Sequence, residues 1–198
     1  KKAIIFENAE GETHSITYNQ LVKNANKVGN MFLKHGIQKG DKVLVMMPRS
    51  IETYEIYIAA LKLGIVVIPS SEMLRTKDLQ YRISHGEVKA IVVTADSIDE
   101  FKAVKEYDTL TKFIVGGEYD DWYTVDSESA NEADQLQIVG TSKDDVALLS
   151  YTSGTTGNPK AVVHSHGWGY AHMQMAPKLW LIIKEDDIAW ATAAPGWQ

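Results

Sequence analysis

VALLSYTSGTTGNPKAVV, residues 146–163, is the stretch from which the fold of this chain can be interpreted. Its two apolar ends, residues 146–149 and 161–163, are typical of short buried strands. The segment between them is a tight loop in which glycine lets a ligand approach the backbone and Lys160 supplies a mobile charge. Because backbone N–H groups in such a loop can form an anion-binding concavity, the pattern indicates a polyphosphate site. The hydroxyl donors and glycines of the loop are Thr152, Ser153, Thr155, Thr156, Gly154 and Gly157.

The Walker A loop is the nearest alternative, and it does not fit. It requires Gly-x-x-x-x-Gly-Lys-Ser/Thr followed by a helix. Here the two glycines are three residues apart, Pro159 precedes the lysine, and Ala161 stands where the magnesium-binding hydroxyl belongs. A strand is expected after the loop, whereas Walker A uses a helix N-terminus. A turn that binds nothing stays open as the simpler interpretation.

Outward from the loop, apolar runs alternate with helical patterns. Continuous apolar runs are typical of strands that are covered on both faces. The alternation predicts an α/β fold with a mostly parallel sheet and helices on both faces. No Gly-x-Gly-x-x-Gly follows the first run, which argues against a dinucleotide-binding Rossmann domain. The runs are residues 43–47, 65–68, 90–93 and 112–115, and the predicted caps of the helices between them are Ser50, Thr76 and Ser97.

The first residues of the chain predict a β-hairpin, residues 4–6 with 13–16, followed by a helix. Thr17 and Gln20 have the spacing of a capping box at the start of this helix, and Gly36 is placed to end it. Ser97 and Glu100 have the same spacing and predict a second capping box.

Composition excludes several functional classes. The chain has 198 residues, a net charge of −6 and no cysteine. An acidic chain without a basic stripe is a poor nucleic-acid partner, and disulfides, thiolate metal sites and a cysteine nucleophile are excluded. No apolar run has the length of a membrane span, and no signal peptide is visible. We expect a cytoplasmic protein, with the mitochondrial matrix as the alternative if a leader has been removed.

An acidic stretch, residues 116–142, contains no Lys or Arg. We interpret it as a solvated connector within one domain, attached by Trp122 and Tyr123; an acidic metal or partner site is the alternative. Its carboxylates are Glu118, Asp120, Asp121, Asp126, Glu128, Glu132 and Asp134.

Three histidines follow the loop, and we assign no metal site to them, because zinc needs three or four converging ligands and no fourth partner is evident. Ser165 or His166 is expected to cap a helix. The apolar residues of this helix are expected to be core; they are Tyr170, Met173 and Met175.

The ten residues 151–160 resemble, without a gap, the phosphate-binding motif of the adenylate-forming superfamily, which includes acyl-CoA synthetases, luciferases and the adenylation domains of peptide synthetases. Residues 187–197 are similar to a second motif of short- and medium-chain acyl-CoA synthetases, although Ala194 stands where an acid is usual. The resemblance implies an acyl pocket bordered by Trp168 and Trp197, and it leaves a pocket role open for Tyr170, Met173 and Met175. Burial alone stays open as the role of Trp190 and Trp197. It implies that the nucleotide is held by Thr152, Ser153, Gly154, Thr155, Thr156, Gly157, Asn158, Pro159 and Lys160.

The resemblance implies an acid–CoA ligase that uses ATP, magnesium and CoA to activate a fatty or other small carboxylic acid. It also implies that residues 1–198 are a partial N-terminal, AMP-binding domain. The motifs for adenine, ribose, magnesium and the catalytic lysine are expected downstream of Trp197, so we expect this chain alone to be inactive. Two alternatives stay open: an amino-acid adenylation domain or carrier-protein ligase, and a non-catalytic α/β module that binds an anion.

Overall fold

The computed structural model describes residues 1–152, 157–190, 192–193 and 196. The strands are β1 (Lys2–Glu7), β2 (Thr13–Thr17), β3 (Lys42–Met46), β4 (Val66–Pro69), β5 (Val88–Thr94), β6 (Thr111–Val115), β7 (Tyr123–Thr124), β8 (Val146–Thr152) and β9 (Lys160–Ser165). The helices are α1 (Tyr18–Lys34), α2 (Ile51–Leu63), α3 (Thr76–Gly86), α4 (Ile98–Lys102), α5 (Val125–Ala130) and α6 (His166–Met175), followed by a π-helical turn, Ala176–Trp180.

Seven of the strands form one sheet in the order β7-β6-β5-β3-β4-β8-β9. All neighbours are parallel except β8 and β9, which are antiparallel. The strands β1 and β2 form a separate antiparallel hairpin. The predicted α/β architecture and the predicted N-terminal hairpin are therefore confirmed.

The sheet is buried on both faces, and this explains the continuous apolar runs. Alternate side chains of β3 enter two different cores: Val43 and Val45 pack with α1, α2 and α5, whereas Leu44 and Met46 pack with α3 and α4. Because successive side chains of a strand point to opposite faces, neither set can be polar when both faces are covered.

Helix capping follows the sequence at α1 and at α2, where Ser50 caps the helix by accepting from Thr53 N at 3.3 Å. It departs from the sequence at α3, where Thr76 is the first helical residue and not the cap, and at α4. The capping box of α1 is confirmed: Gln20 N donates to Thr17 Oγ1 at 3.3 Å, and Thr17 N donates to Gln20 Oε1 at 3.1 Å. The predicted box at Ser97 is wrong, because Ser97 lies in a 3₁₀ turn and makes no side-chain capping bond. Glu100 instead accepts from the backbone N and the hydroxyl of Thr76, at 2.8 and 3.0 Å.

The acidic stretch 116–142 contains secondary structure of its own. It begins with β7, which extends the sheet beyond β6, and continues as α5, which packs on α1. Trp122 is buried here, and the ring of Tyr123 lies 3.9 Å from that of His35. These contacts attach the start of the stretch to the sheet.

The rest of the stretch lies along α1, because that helix supplies both polar and apolar partners. Asn26 Nδ2 donates to Asp134 O at 2.8 Å, and Lys34 pairs with Glu128 at 2.9 Å. Leu136 and Val139 pack against the core beneath α1 and α2. Lysines of α1 therefore pair with some of the carboxylates of the stretch, while its apolar residues attach it to the domain.

Across the residues that the structure describes, no helix is both long and apolar enough to cross a membrane.

Candidate functional site

The carboxyl ends of the parallel strands lie at one edge of the sheet. From this edge α2 leaves β3 toward one face, whereas α3 leaves β4 toward the other. Where the loops after neighbouring strands diverge to opposite faces, they open a crevice, and ligands of parallel α/β sheets bind there. This edge is therefore the expected position of a ligand site.

The predicted phosphate loop, residues 152–160, leaves the sheet at the same edge, because β8 runs parallel to β4 and ends at Thr152. Thr152 is paired across the antiparallel ladder with Lys160, the first residue of β9. Side chains of directly opposed residues lie on the same face of an antiparallel pair, so the hydroxyl and the exposed ammonium lie side by side. Thr152 Oγ1 is 3.5 Å from Lys160 O. The two ends of the loop are thus held together by strand pairing.

The second half of the loop is exposed. Gly157 has φ +142°, a conformation that residues with a side chain rarely adopt, and no described atom lies within 4 Å of the position a Cβ would take. Asn158 is exposed and Pro159 is half-buried. The predicted phosphate ligands Ser153, Gly154, Thr155 and Thr156, and the predicted pocket residue Trp197, lie outside the described residues.

The helix after β9, α6, begins where the sequence predicts, but its apolar residues are not buried. Ser165 caps α6 by accepting from Trp168 N at 3.2 Å, as expected. The predicted core residues of α6 are on its surface, because the described part of the chain covers none of them; the exposed fractions of Tyr170, Met173 and Met175 are 64, 62 and 44%. That prediction is wrong for the described structure.

Trp168, the predicted pocket residue, forms the middle of an aromatic row. Its ring centroid lies 4.3 Å from that of His164 and 5.2 Å from that of His172, on which it stacks at 20°. Trp180 meets His172 edge-on at 5.4 Å. With 46% of Trp168 exposed, this row is an accessible apolar wall beside β9.

The structure also tests whether this region could hold a metal ion. Among the described residues, no group of three or more His, Asp or Glu side chains has the arrangement to bind one. Two carboxyl groups, Glu72 after β4 and Asp96 after β5, lie at the carboxyl edge. Burial, and to a lesser extent the charge of Asp96, raises the pKa of Glu72 above its ordinary value.

Contacts at the carboxyl edge bring in two residues that the sequence did not single out as site residues. Arg49, which follows β3, donates from Nη1 to Thr192 O at 2.7 Å. Gly196 lies against the backbone of Ser70, which follows β4: a Cβ on Gly196 would be 2.4 Å from Ser70 C and 2.6 Å from Ser70 O. Thr192 and Gly196 therefore lie at the ends of β3 and β4. These contacts join residues more than a hundred positions apart, so no local spacing could indicate them.

A second concavity, a cleft of about 470 Å³, lies between the hairpin, α1, α2 and α5. Its lining includes three carboxylates, Glu52, Glu55 and Asp126. Burial is the main cause that raises the pKa of Glu55, and the charges of Glu52 and Asp126 add to it, while a hydrogen bond from Asn24 Nδ2 at 2.7 Å opposes it. Like charges repel a polyphosphate, so this cleft does not fit a nucleotide triphosphate.

We predict that Glu55→Gln raises the free energy of unfolding at pH 7 and above. Because the pKa of Glu55 is raised above 4.5 in the folded state, the folded chain binds more protons than the unfolded chain as the pH rises past that value, and stability falls. Glutamine keeps the acceptor for Asn24 without the charge. Urea unfolding should show no gain at pH 4 and an increasing gain above pH 5. Glu10→Gln on the exposed hairpin is the control, and an equal gain at both pH values would contradict the explanation.

We predict that Gly196→Ala displaces the segment around residue 196 from Ser70. Gly196 has φ +78°, and the added Cβ would meet the Ser70 backbone, which cannot move like a flexible side chain. Limited proteolysis should cut residues 185–196 at least several-fold faster than in the unchanged chain. Gly140→Ala is the matched control, since no described atom lies within 4 Å of its Cβ position. Equal cleavage rates in the two variants would show that the contact with Ser70 does not hold residue 196 in place.

Comparison with known proteins agrees with this geometry. The chain is 48% identical over its full length to an uncharacterized acyl–CoA ligase, YtcI, of Bacillus subtilis (strain 168), and covers 37% of it. It is 33% identical to the acetyl-coenzyme A synthetase of the same organism, with 100% of the chain aligned to 35% of that protein. The chain therefore spans about a third of the length of these curated relatives.

A solved structure and a protein family also match the chain. The crystal structure of an acyl-CoA synthetase from Brucella canis superposes on the whole chain with a TM-score of 0.87, covering 36% of that protein; at 23% identity this shows the fold alone. The AMP-binding enzyme family matches residues 1–198. The chain belongs to the AMP-binding enzyme family.

Proposed function

We propose that the protein containing this chain is an acid–CoA ligase. It would activate a fatty or other small carboxylic acid with ATP and transfer the acyl group to CoA. The observation that carries the proposal is the position of the loop 152–160, which joins an antiparallel strand pair at the carboxyl edge of the sheet in a chain of the AMP-binding enzyme family. The names of its relatives, an acyl–CoA ligase and an acetyl-coenzyme A synthetase, support the reaction class.

The reaction has two steps. A carboxylate oxygen of the acid attacks the α-phosphorus of ATP, and the bond from that phosphorus to the bridging oxygen of pyrophosphate breaks. The thiolate of CoA then attacks the carbonyl carbon of the acyl-adenylate, and AMP leaves as the thioester forms. Negative charge increases on pyrophosphate during the first step, so hydrogen-bond donors aimed at the β- and γ-phosphates accelerate that step.

In this proposal the loop binds the phosphates. Lys160 supplies positive charge at the start of β9, and Thr152 supplies a hydroxyl on the same face of the strand pair. Gly157 and Asn158 are exposed, and their backbone N–H groups would donate to the ligand. The full proposed set is Thr152, Ser153, Gly154, Thr155, Thr156, Gly157, Asn158, Pro159 and Lys160.

We propose that ATP is used together with magnesium, which would neutralise part of the phosphate charge. Among the described residues no group of three or more His, Asp or Glu side chains is arranged to hold a metal ion, so we name no protein ligand for magnesium and assign it no step.

For the acid, we propose that Trp168 and Trp197 border the pocket. The support for Trp168 is that it forms an accessible aromatic wall beside His164, at the end of β9 opposite to Lys160. The support for Trp197 is that Gly196, its neighbour, lies on Ser70 at the carboxyl edge.

Residues 1–198 would form part of an N-terminal, AMP-binding domain, with 116–142 as an acidic connector inside it. Two findings support this proposal: one sheet contains every described strand except the hairpin, and the relatives are about three times as long as the chain. We therefore expect no pyrophosphate release from the 198-residue chain alone.

We predict that the whole protein exchanges labelled pyrophosphate into ATP when it is supplied with a carboxylic acid that it activates. A panel of short, medium and long fatty acids, aromatic acids and amino acids identifies the acid. Thioester formation on adding CoA would then establish the second step. Exchange that depends on an amino acid and yields no CoA thioester would overturn the proposal in favour of an amino-acid adenylation enzyme.

We predict that Lys160→Ala in the whole protein weakens ATP binding about ten-fold or more, because one charge-assisted contact to phosphate typically contributes about 1.5–3 kcal/mol. Calorimetric titration with ATP measures the loss. Lys143→Ala is the matched control, since Lys143 is an exposed lysine just before β8 that pairs with Asp144. If both variants bind ATP equally well, Lys160 does not contact the nucleotide.

A further inference from the structure

Tyr151 is the last residue before the proposed phosphate ligands, and its side chain is buried on the face of the sheet that α3 and α4 cover. The Tyr151 hydroxyl lies 2.8 Å from His85 Nδ1, at the end of α3. The two residues share a hydrogen bond across 66 positions of sequence. The strand end that precedes the phosphate loop is therefore attached to a helix from an earlier part of the chain.

The surroundings of this hydrogen bond are closely packed. The ring of Tyr81 stacks on His85, with centroids 5.3 Å apart, and meets the ring of Tyr151 edge-on at 6.1 Å. The guanidinium of Arg82 lies 5.4 Å from the centroid of the Tyr151 ring. Gly86 leaves room for this contact, because a Cβ there would lie 2.8 Å from Ile68 Cδ1 and 3.2 Å from the Tyr151 hydroxyl.

Burial raises the pKa of the Tyr151 hydroxyl above its ordinary value. The group therefore stays protonated at neutral pH, where it both donates and accepts hydrogen bonds.

The hydrogen bond matters because β8 has few backbone pairing partners on the side of β4. In the described part of the chain, β8 is in register with β4 at one pair, Val67 with Leu148, whereas six of its residues between Val146 and Thr152 pair with β9. On the opposite face, the hydroxyl of Ser150 is buried and has no hydrogen-bond partner among the described atoms. The Tyr151 hydroxyl thus adds a hydrogen bond to the ring contacts that join this strand end to α3.

We propose that the hydrogen bond between His85 and Tyr151 positions the phosphate loop. His85 is then a positioning residue: it does not contact the nucleotide but holds the strand from which the loop donors project. Donors must lie within about 0.5 Å of their productive positions to contribute fully, so releasing the strand end lowers affinity for the phosphates. The identity of the ligand rests on the function proposed above, whereas the positioning of β8 does not.

The test uses the whole protein with Tyr151→Phe, His85→Ala, the double variant, and His85→Gln, whose amide can replace the lost hydrogen bond. Hydrogen–deuterium exchange without nucleotide is followed at residues 146–152 and 160–165. Both single variants should exchange there about five-fold faster, the effect of losing one hydrogen bond, while β3 and β5 keep their rates. The dissociation constant of ATP should rise by a similar factor. The double variant should match the single variants, and His85→Gln should resemble the wild type.

The controls are Tyr18→Phe and His14→Ala, which change an exposed tyrosine and an exposed histidine elsewhere. Unchanged exchange in Tyr151→Phe, additive effects in the double variant, or equal effects in the controls would each overturn the proposal. Tyr151→Phe removes a single oxygen atom, so it tests the role of the hydrogen bond even if His85→Ala does not fold. A wild-type protein that does not bind ATP would contradict the proposed function, and the exchange rates would still decide whether the pair positions β8.

Discussion

The register of β8 beside β4, in which Leu148 lies opposite Val67, is the constraint on which the candidate site depends. Because β8 pairs with β4 in parallel, the predicted phosphate loop emerges at the edge where β3, β4 and β5 also end. Antiparallel pairing of β9 then returns Lys160 to a position opposite Thr152. A strand that pairs with β4 at one position and with β9 at six thus carries the loop, and packing from both sides of the sheet helps to hold it.

The order of the strands explains why the chain needs two apolar cores. Because α2 and α3 leave neighbouring strands toward opposite faces, the central strands are covered on both sides, and the same divergence opens the crevice at the carboxyl edge. The acidic stretch 116–142 completes one side by lying along α1, where Lys23 and Lys34 compensate part of its charge. In contrast, α6 presents apolar side chains to the surface, and a patch of this kind is typical of an interaction site.

Much of the fold was predictable because the relevant signals are local. Continuous apolar runs, glycine helix stops and the capping box at Thr17 depend on residues that are close in the chain, and they led to the correct fold class, four of the central strands and the hairpin. The same reasoning was wrong at Ser97, because Glu100 finds a partner in Thr76 of another helix. It also missed β7, whose two residues leave no periodic pattern.

The sequence by itself determined the α/β architecture and the chemical character of the loop, since hydroxyls, glycines and a lysine between two apolar strands are visible without coordinates. Only the tertiary structure decided where the loop lies and what surrounds it. The contacts of Arg49 with Thr192, of Ser70 with Gly196 and of His85 with Tyr151 join segments that are 66 or more residues apart. Such contacts arise from the order in which strands pair, and a linear pattern of residue types does not encode that order.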